Sequence, residues 1–176
     1  VTGSILQKLP AAFVQWVERT GYTRVSKGEA LVIANDGGEL RYGIRVSDGR
    51  ILLSRAERAE EPVVILSAVT LDPVVAYLVT VMGDDHRASQ GLAPIRLPFR
   101  WDEPAPGFTA SRDTSGWAEL RRTGSDDVVV AMAGRDIVHP VISLSYVLDI
   151  DLAHALASYE SPSGAPRLTR FVSRDR

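Results

Sequence analysis

The sequence predicts a single α+β domain spanning residues 1–176, in which largely antiparallel sheet packs on a central buried helix. One helix precedes the strands and two close the chain. Three observations carry this prediction. Leu71, Val74, Val75, Leu78 and Met82 fall on one face of a helix. Leu40, Tyr42, Ile44 and Val46 alternate with Arg41, Gly43 and Arg45, as in a strand with one wet face. Turn-forming Asn35-Asp36-Gly37-Gly38 and Ser47-Asp48-Gly49-Arg50 bracket that strand and require antiparallel neighbours.

In chain order, residues 10–21 form an amphipathic helix, with Phe13, Trp16, Val17 and Thr20 on one face. Pro10 sits at its start and Gly21 follows its end. From Tyr22 to about residue 55 the pattern is that of an antiparallel meander. It includes the apolar run Ala30-Leu31-Val32-Ile33-Ala34 and ends in Ile51-Leu52-Leu53-Ser54. A charged segment, residues 55–61, reads as a solvent loop before a strand at Val63-Val64-Ile65-Leu66.

The central helix is expected over residues 72–82. Asp72 suits the N-cap, Pro73 the first helical position and Gly83 the left-handed residue beyond the end. Ala76, Val79 and Val81 make its other faces apolar too, so burial nearly all round is expected. The segment up to Gly107, with Pro94, Pro98, Pro104 and Pro106, is expected to wrap the surface in an extended form. Strands follow at residues 108–112, 117–122 and 128–132, then helices at 140–148 and 151–159. The stretch from residue 161 onward carries proline, glycine and scattered charge. Residues 1–9 and 172–176 are expected to fray.

Composition removes several classes of function. A net charge of −2 and a pI near 5.9 argue against nucleic acid as a partner. The chain has no cysteine, which excludes disulfides, thiol nucleophiles and cysteine-rich zinc sites and suits a reducing cytoplasm. A ten-residue apolar helix spans roughly 15 Å, too short for a bilayer, so no membrane partner is expected. No secretory signal is recognisable.

The motif search is equally bare. His86, His139 and His154 lie far apart, and Asp84-Asp85-His86 reads as a solvated helix exit instead of a metal cluster. Gly37-Gly38 lacks the Lys-Ser/Thr of a phosphate loop, and no nucleophile elbow or His-Glu-x-x-His is present. The two last helices mimic a helix-turn-helix, but residues 151–160 contain no arginine or lysine to meet phosphate. No metal, cofactor or catalytic residue is expected.

An ordered series of stretches nevertheless resembles one family. These are Phe13-Val14-Gln15-Trp16-Val17, Gly37-Gly38-Glu39-Leu40-Arg41-Tyr42, Ala76-Tyr77-Leu78 with Gly83, and Ala93-Pro94-Ile95-Arg96-Leu97-Pro98-Phe99. Ser145-Tyr146-Val147-Leu148-Asp149 and Ser163-Gly164-Ala165-Pro166 continue the series. Together they resemble the immunity factors of tuberculosis necrotizing toxin and its actinobacterial relatives. The resemblance implies an antitoxin. It would bind a cognate secreted NAD-glycohydrolase toxin domain as a 1:1 heterodimer in the producer's cytoplasm and occlude its NAD site. Such a protein need not be an enzyme.

A toxic enzyme must be almost wholly bound, which requires nanomolar affinity, about −12 kcal/mol. An interface of roughly 1,600 Å² is then expected. A site that accepts the NAD pyrophosphate favours carboxylates or carbonyls on an exposed turn. The candidate contact residues are therefore Asp36, Gly37, Gly38 and Glu39, the hairpin tip Asp48 and Gly49, and Asp84 with Asp85. Other classes compatible with the same composition are a secretion chaperone or adaptor for an exported protein and a small-molecule-binding protein. A deep apolar pocket with convergent polar groups would mark the last of these.

Overall fold

A computed structural model describes residues 8–28, 30–133 and 138–173. The N-terminal stripe forms α1 (Ala11–Arg19), which buries Phe13, Trp16 and Val17 and has Pro10 at its cap. Four strands then meander: β1 (Tyr22–Lys27), β2 (Ala30–Asn35), β3 (Leu40–Ser47) and β4 (Arg50–Glu57). β5 (Val63–Ala68) leads into α2 (Asp72–Ser89). After the proline-rich segment come β6 (Phe108–Arg112), β7 (Ala118–Arg122), β8 (Val128–Met132), α3 (Val138–Ser145) and α4 (Leu152–Glu160). Asp151 caps α4, accepting from the backbone N–H groups of Ala153 and His154.

All eight strands belong to one antiparallel sheet of order β1-β2-β3-β4-β5-β8-β7-β6. The two strand regions meet directly, because β5 pairs with β8 through Leu66↔Met132 and Ala68↔Val130. Strand pairing itself, and not the central helix, therefore joins them. The pleat puts Leu31, Ile33, Tyr42, Ile44, Leu53, Leu66, Leu120 and Val130 on one face, where they form the core with Phe13, Trp16, Leu78 and Met82. All four helices contribute to that core. α4 packs on α2 and α1, and α3 on β6 to β8, so the terminal helices form an inward-packed corner instead of a groove reader.

Four expectations need correction. First, α2 does not stop at Met82 but runs for 18 residues, about 27 Å. Gly83 lies inside it, and a Cβ there would meet the Tyr159 ring at 2.3 Å. The left-handed residue past the end is Gly91 (φ 66°). Its N–H bonds Ala88 and that of Leu92 bonds Arg87, both to carbonyls, which is the Schellman pattern. Second, Asp72 stands within the first turn, with Leu71 at the cap position and no side-chain cap bond. Third, residues 55–57 belong to β4, so the solvent loop starts at Arg58.

Fourth, much of the C-terminal segment is pinned. Leu168 is buried, Val172 bridges Ile95, and the Ser173 N–H donates to the Pro94 carbonyl. Val172 and Ser173, like the buried Leu9, are thus held in place, and residues 1–7 and 174–176 lie outside the described residues. The proline-rich segment does wrap the surface. It also supplies Ile95, Leu97 and Ala105 to the core. Ser143 and Tyr146 hydroxyls donate to the Pro98 and Glu103 carbonyls and hold it.

Candidate functional site

The sequence-predicted contact residues do not all converge. β3 separates its two hairpin turns by eight residues, roughly 25 Å at strand rise. Residues 36–39 stand at one end of the sheet, and Asp48 and Gly49 at the other. Asp48 (φ 51°) and Gly49 (φ 73°) form the tight turn that the Asp-Gly pair calls for.

At the first end, two loops are stitched into one platform. The Gly38 N–H donates to the Asn35 carbonyl at 2.9 Å, and the Leu40 N–H to the Asn35 side-chain oxygen at 2.8 Å. Gly37 (φ 83°) and Gly38 (φ 70°) supply the left-handed backbone that this turn demands. The Arg58 N–H then donates to the Glu39 carbonyl at 2.6 Å. Arg41 reaches the Gly38 carbonyl at 3.0 Å and that of Glu60 at 3.5 Å. The β2–β3 turn and the β4–β5 loop consequently hold each other. They border a cleft of about 400 Å³ lined by Asn35, Glu39, Leu40, Glu57, Arg58 and Glu60.

Carboxylates outnumber cations on this platform: Asp36, Glu39, Glu57, Glu60 and Glu61 against Arg41, Arg58 and Arg55, which pairs with Glu57. The β4–β5 half was missed at the sequence level, where residues 58–61 read as a plain charged loop. The only local signal was Arg41, a cation two residues after an acidic turn.

Asp84 and Asp85 occupy successive positions on α2, not a turn, and so point in different directions. Asp85 accepts a hydrogen bond from the Tyr22 hydroxyl. Since Tyr22 pairs with Asn35 across β1–β2, this end of α2 lies near the platform. Burial, with the Asp85 hydrogen bond behind it, pushes the Tyr22 phenol far above its usual value.

Asp84 instead borders a cleft of about 420 Å³ between α2, the proline-rich segment and α3, together with Tyr77, Arg96, Phe99 and Ser143. Desolvation and the neighbouring Asp85 push the Asp84 carboxyl up to about 6, with Arg87 opposing, although the residue keeps an exposed edge. The folded state therefore binds this proton more tightly than the unfolded chain, whose carboxyl titrates near 3.8. Stability from this group is full below pH 3.8 and is lost as pH rises through about 6. Asp84→Asn is expected to flatten that part of the profile and to raise the urea midpoint at pH 7. An unchanged profile between pH 4 and pH 7 would show that the carboxyl is fully solvated.

Among the described residues no group of His, Cys, Asp or Glu could hold a metal ion, and no helix is long and apolar enough to cross a membrane.

An eight-stranded antiparallel sheet with four helices on one face thus carries an acid-rich turn platform at one end. The chain belongs to the family described as Immunity protein 61, whose model matches residues 16–167. It is similar to the Immunity factor for TNT of Mycobacterium tuberculosis (strain ATCC 25618 / H37Rv), at 24% identity over 159 residues. That match covers 88% of this chain and 89% of the relative. The Immunity factor for TNT homolog of Mycobacterium bovis (strain BCG / Pasteur 1173P2) matches equally. In fold, the chain resembles the solved structure of Rv3902c from M. tuberculosis, with a TM-score of 0.82 and 22% identity. That likeness covers 95% of this chain and 96% of the other.

Proposed function

We propose that this protein binds a cognate secreted NAD-glycohydrolase toxin domain in the producer's cytoplasm, as a 1:1 complex, and covers its NAD site without catalysis of its own. The similarity along 88% of the chain to a protein named as an immunity factor for TNT carries this reading. The platform supports it physically. A site built to accept a pyrophosphate presents N–H donors and positive charge. Residues 36–39, braced by residues 58–60, offer carboxylates and carbonyls on a backbone already locked in place. Asp36, Gly37, Gly38 and Glu39 are the proposed contacts. Asp48 and Gly49, at the far end of β3, fall outside that surface; Asp85 borders it from α2, while Asp84 faces the cleft between α2, the proline-rich segment and α3.

Co-expression tests the reading. Cells making the cognate toxin domain are expected to recover growth and NAD when they also make this protein, and the two should co-purify. Asp36→Lys/Glu39→Lys is expected to weaken the complex at least tenfold, about 1.4 kcal/mol or more. Asp48→Ala should leave it unchanged. Undiminished toxicity, with no complex at micromolar concentration, would sink the proposal.

A further inference from the structure

Among the described residues the helices cover one face of the sheet, and no element covers the other face of β1 to β4. Register places Val25 opposite Val32, Val32 opposite Gly43 and Gly43 opposite Ser54, all on the side away from the core. Gly43 keeps this floor low, since a Cβ there would sit 2.7 Å from the Ser54 hydroxyl. The result is a cleft of about 450 Å³ floored by Val25, Val32, Gly43 and Ala56 and edged by Lys27, Arg41 and Arg45. Val25 is 59% exposed on the outer side of the edge strand β1.

Charge is segregated on this face. The chain is net −2, yet the charged strand residues that register puts here are all basic: Lys27, Arg41, Arg45 and Arg50. Arg50 is tied to Ser67, and Arg41 to the platform carbonyls. The side chains of Lys27 and Arg45 make no hydrogen bond or ion pair with the described residues and stand exposed.

We infer that this bare face is a second contact surface for the same toxin domain, fitted to an acidic stretch with an apolar side chain at its centre. The inference rests on the proposed function and names a part of the interface which that reading leaves open. Three points choose the occupant. A second copy of this chain would set Lys27 and Arg45 against their own equivalents, so self-association is electrostatically opposed. A nucleic acid would be repelled by the adjoining acidic platform and by the chain's net charge. Continuity then favours the toxin. Arg41 lines this cleft while bonding the Gly38 and Glu60 carbonyls, so one rigid partner that covers the platform meets the basic face at its rim. An acidic plug beside a basic face fixes the orientation of docking, since a partner turned around would oppose like charges.

The test is Lys27→Glu/Arg45→Glu, which removes no intramolecular bond, with Val25→Asp as an independent probe of the floor. Binding to the purified toxin domain is followed by stopped flow at low and high salt. The charge reversal is expected to slow association at least tenfold at low salt and to lose most of that difference at high salt. Val25→Asp is expected to speed dissociation at least tenfold, with the melting temperature of both variants unchanged. A tight wild-type complex that neither variant disturbs would overturn this inference and leave the proposed function standing. A wild-type chain that forms no complex overturns both. Concentration-dependent dimers in sedimentation, abolished by the charge reversal, would assign the face to a second copy and overturn the toxin contact.

Discussion

Replacing Arg87 by leucine is expected to cost about 3–5 kcal/mol of folding stability, because it strips the charged donor from several buried carbonyls at about 1–3 kcal/mol each. Arg87 is wholly buried. Its guanidinium donates to the carbonyls of Ala93 at 2.8 Å, Tyr159 at 3.1 Å, Ser161 at 2.6 Å and Pro162 at 3.1 Å, with a longer bond of 3.4 Å to Ser158. Three of these carbonyls close the last turn of α4, where a cation also meets the negative end of the helix dipole. Burial pulls the guanidinium below its usual pKa, with Asp84 and Tyr159 acting the other way, yet it stays charged.

Leucine would fill the volume and leave those carbonyls without a donor, each costing about 1–3 kcal/mol where water cannot reach. Lysine should recover only part of the loss, because three donors on one nitrogen cannot span carbonyls that a planar fork reaches together. The measurement is equilibrium urea unfolding, with Arg19→Ala as a control. Arg19 pairs with Glu160 in the open and should matter by less than about 1 kcal/mol. A loss below 1 kcal/mol for Arg87→Leu would mean that water already serves these carbonyls.

Gly83→Ala carries the second large effect, and its sign is the informative part. Alanine in mid-helix ordinarily stabilises by about 1 kcal/mol relative to glycine. Here its methyl carbon would lie 2.3 and 2.4 Å from Cδ1 and Cγ of Tyr159, whose ring is buried and cannot swing away. Overpacking of that kind costs about 1–3 kcal/mol and outweighs the propensity gain. Net destabilisation of up to about 2 kcal/mol is therefore expected, since contacts this short put the overpacking cost at the upper end of its range. In a Tyr159→Ala background the same substitution should become neutral or stabilising, so a double-mutant cycle isolates the contact. Additive effects would show that the ring is not what excludes the side chain.

These two positions also show how far the sequence could be read. Periodicity located α1, every strand and the start of α2, because each needs only a rule about which residues face one side. It could not choose between Gly83 and Gly91 as the end of α2. Gly83 directly follows the apolar run, whereas Gly91 comes after the polar stretch from Asp84 onward, which resembles an exit. The helix continues because Tyr159 needs the space at Gly83 and Arg87 needs the carbonyls of α4, and both partners lie more than seventy residues away.

The candidate contact surface divides the same way. Residues 36–39 were legible as an exposed acidic turn from Asn35-Asp36-Gly37-Gly38 alone. Their union with residues 58–60 was not, since the Glu39–Arg58 bond and the reach of Arg41 to Glu60 join segments with a whole hairpin between them. Nor could the order of residues reveal that β5 pairs with β8, which makes one sheet of two strand groups and leaves its outer face bare.

By itself, then, the sequence determined the elements, their buried sides, the tight turns and, through an ordered resemblance, the class of protein. Tertiary structure alone decided where α2 ends, which acidic residues share a surface and which sheet face stays open. The physical reason is range. Side-chain periods and glycine turns act within a few residues, whereas an arginine's carbonyl partners, a ring's clearance and a strand's neighbour are settled only when distant segments meet.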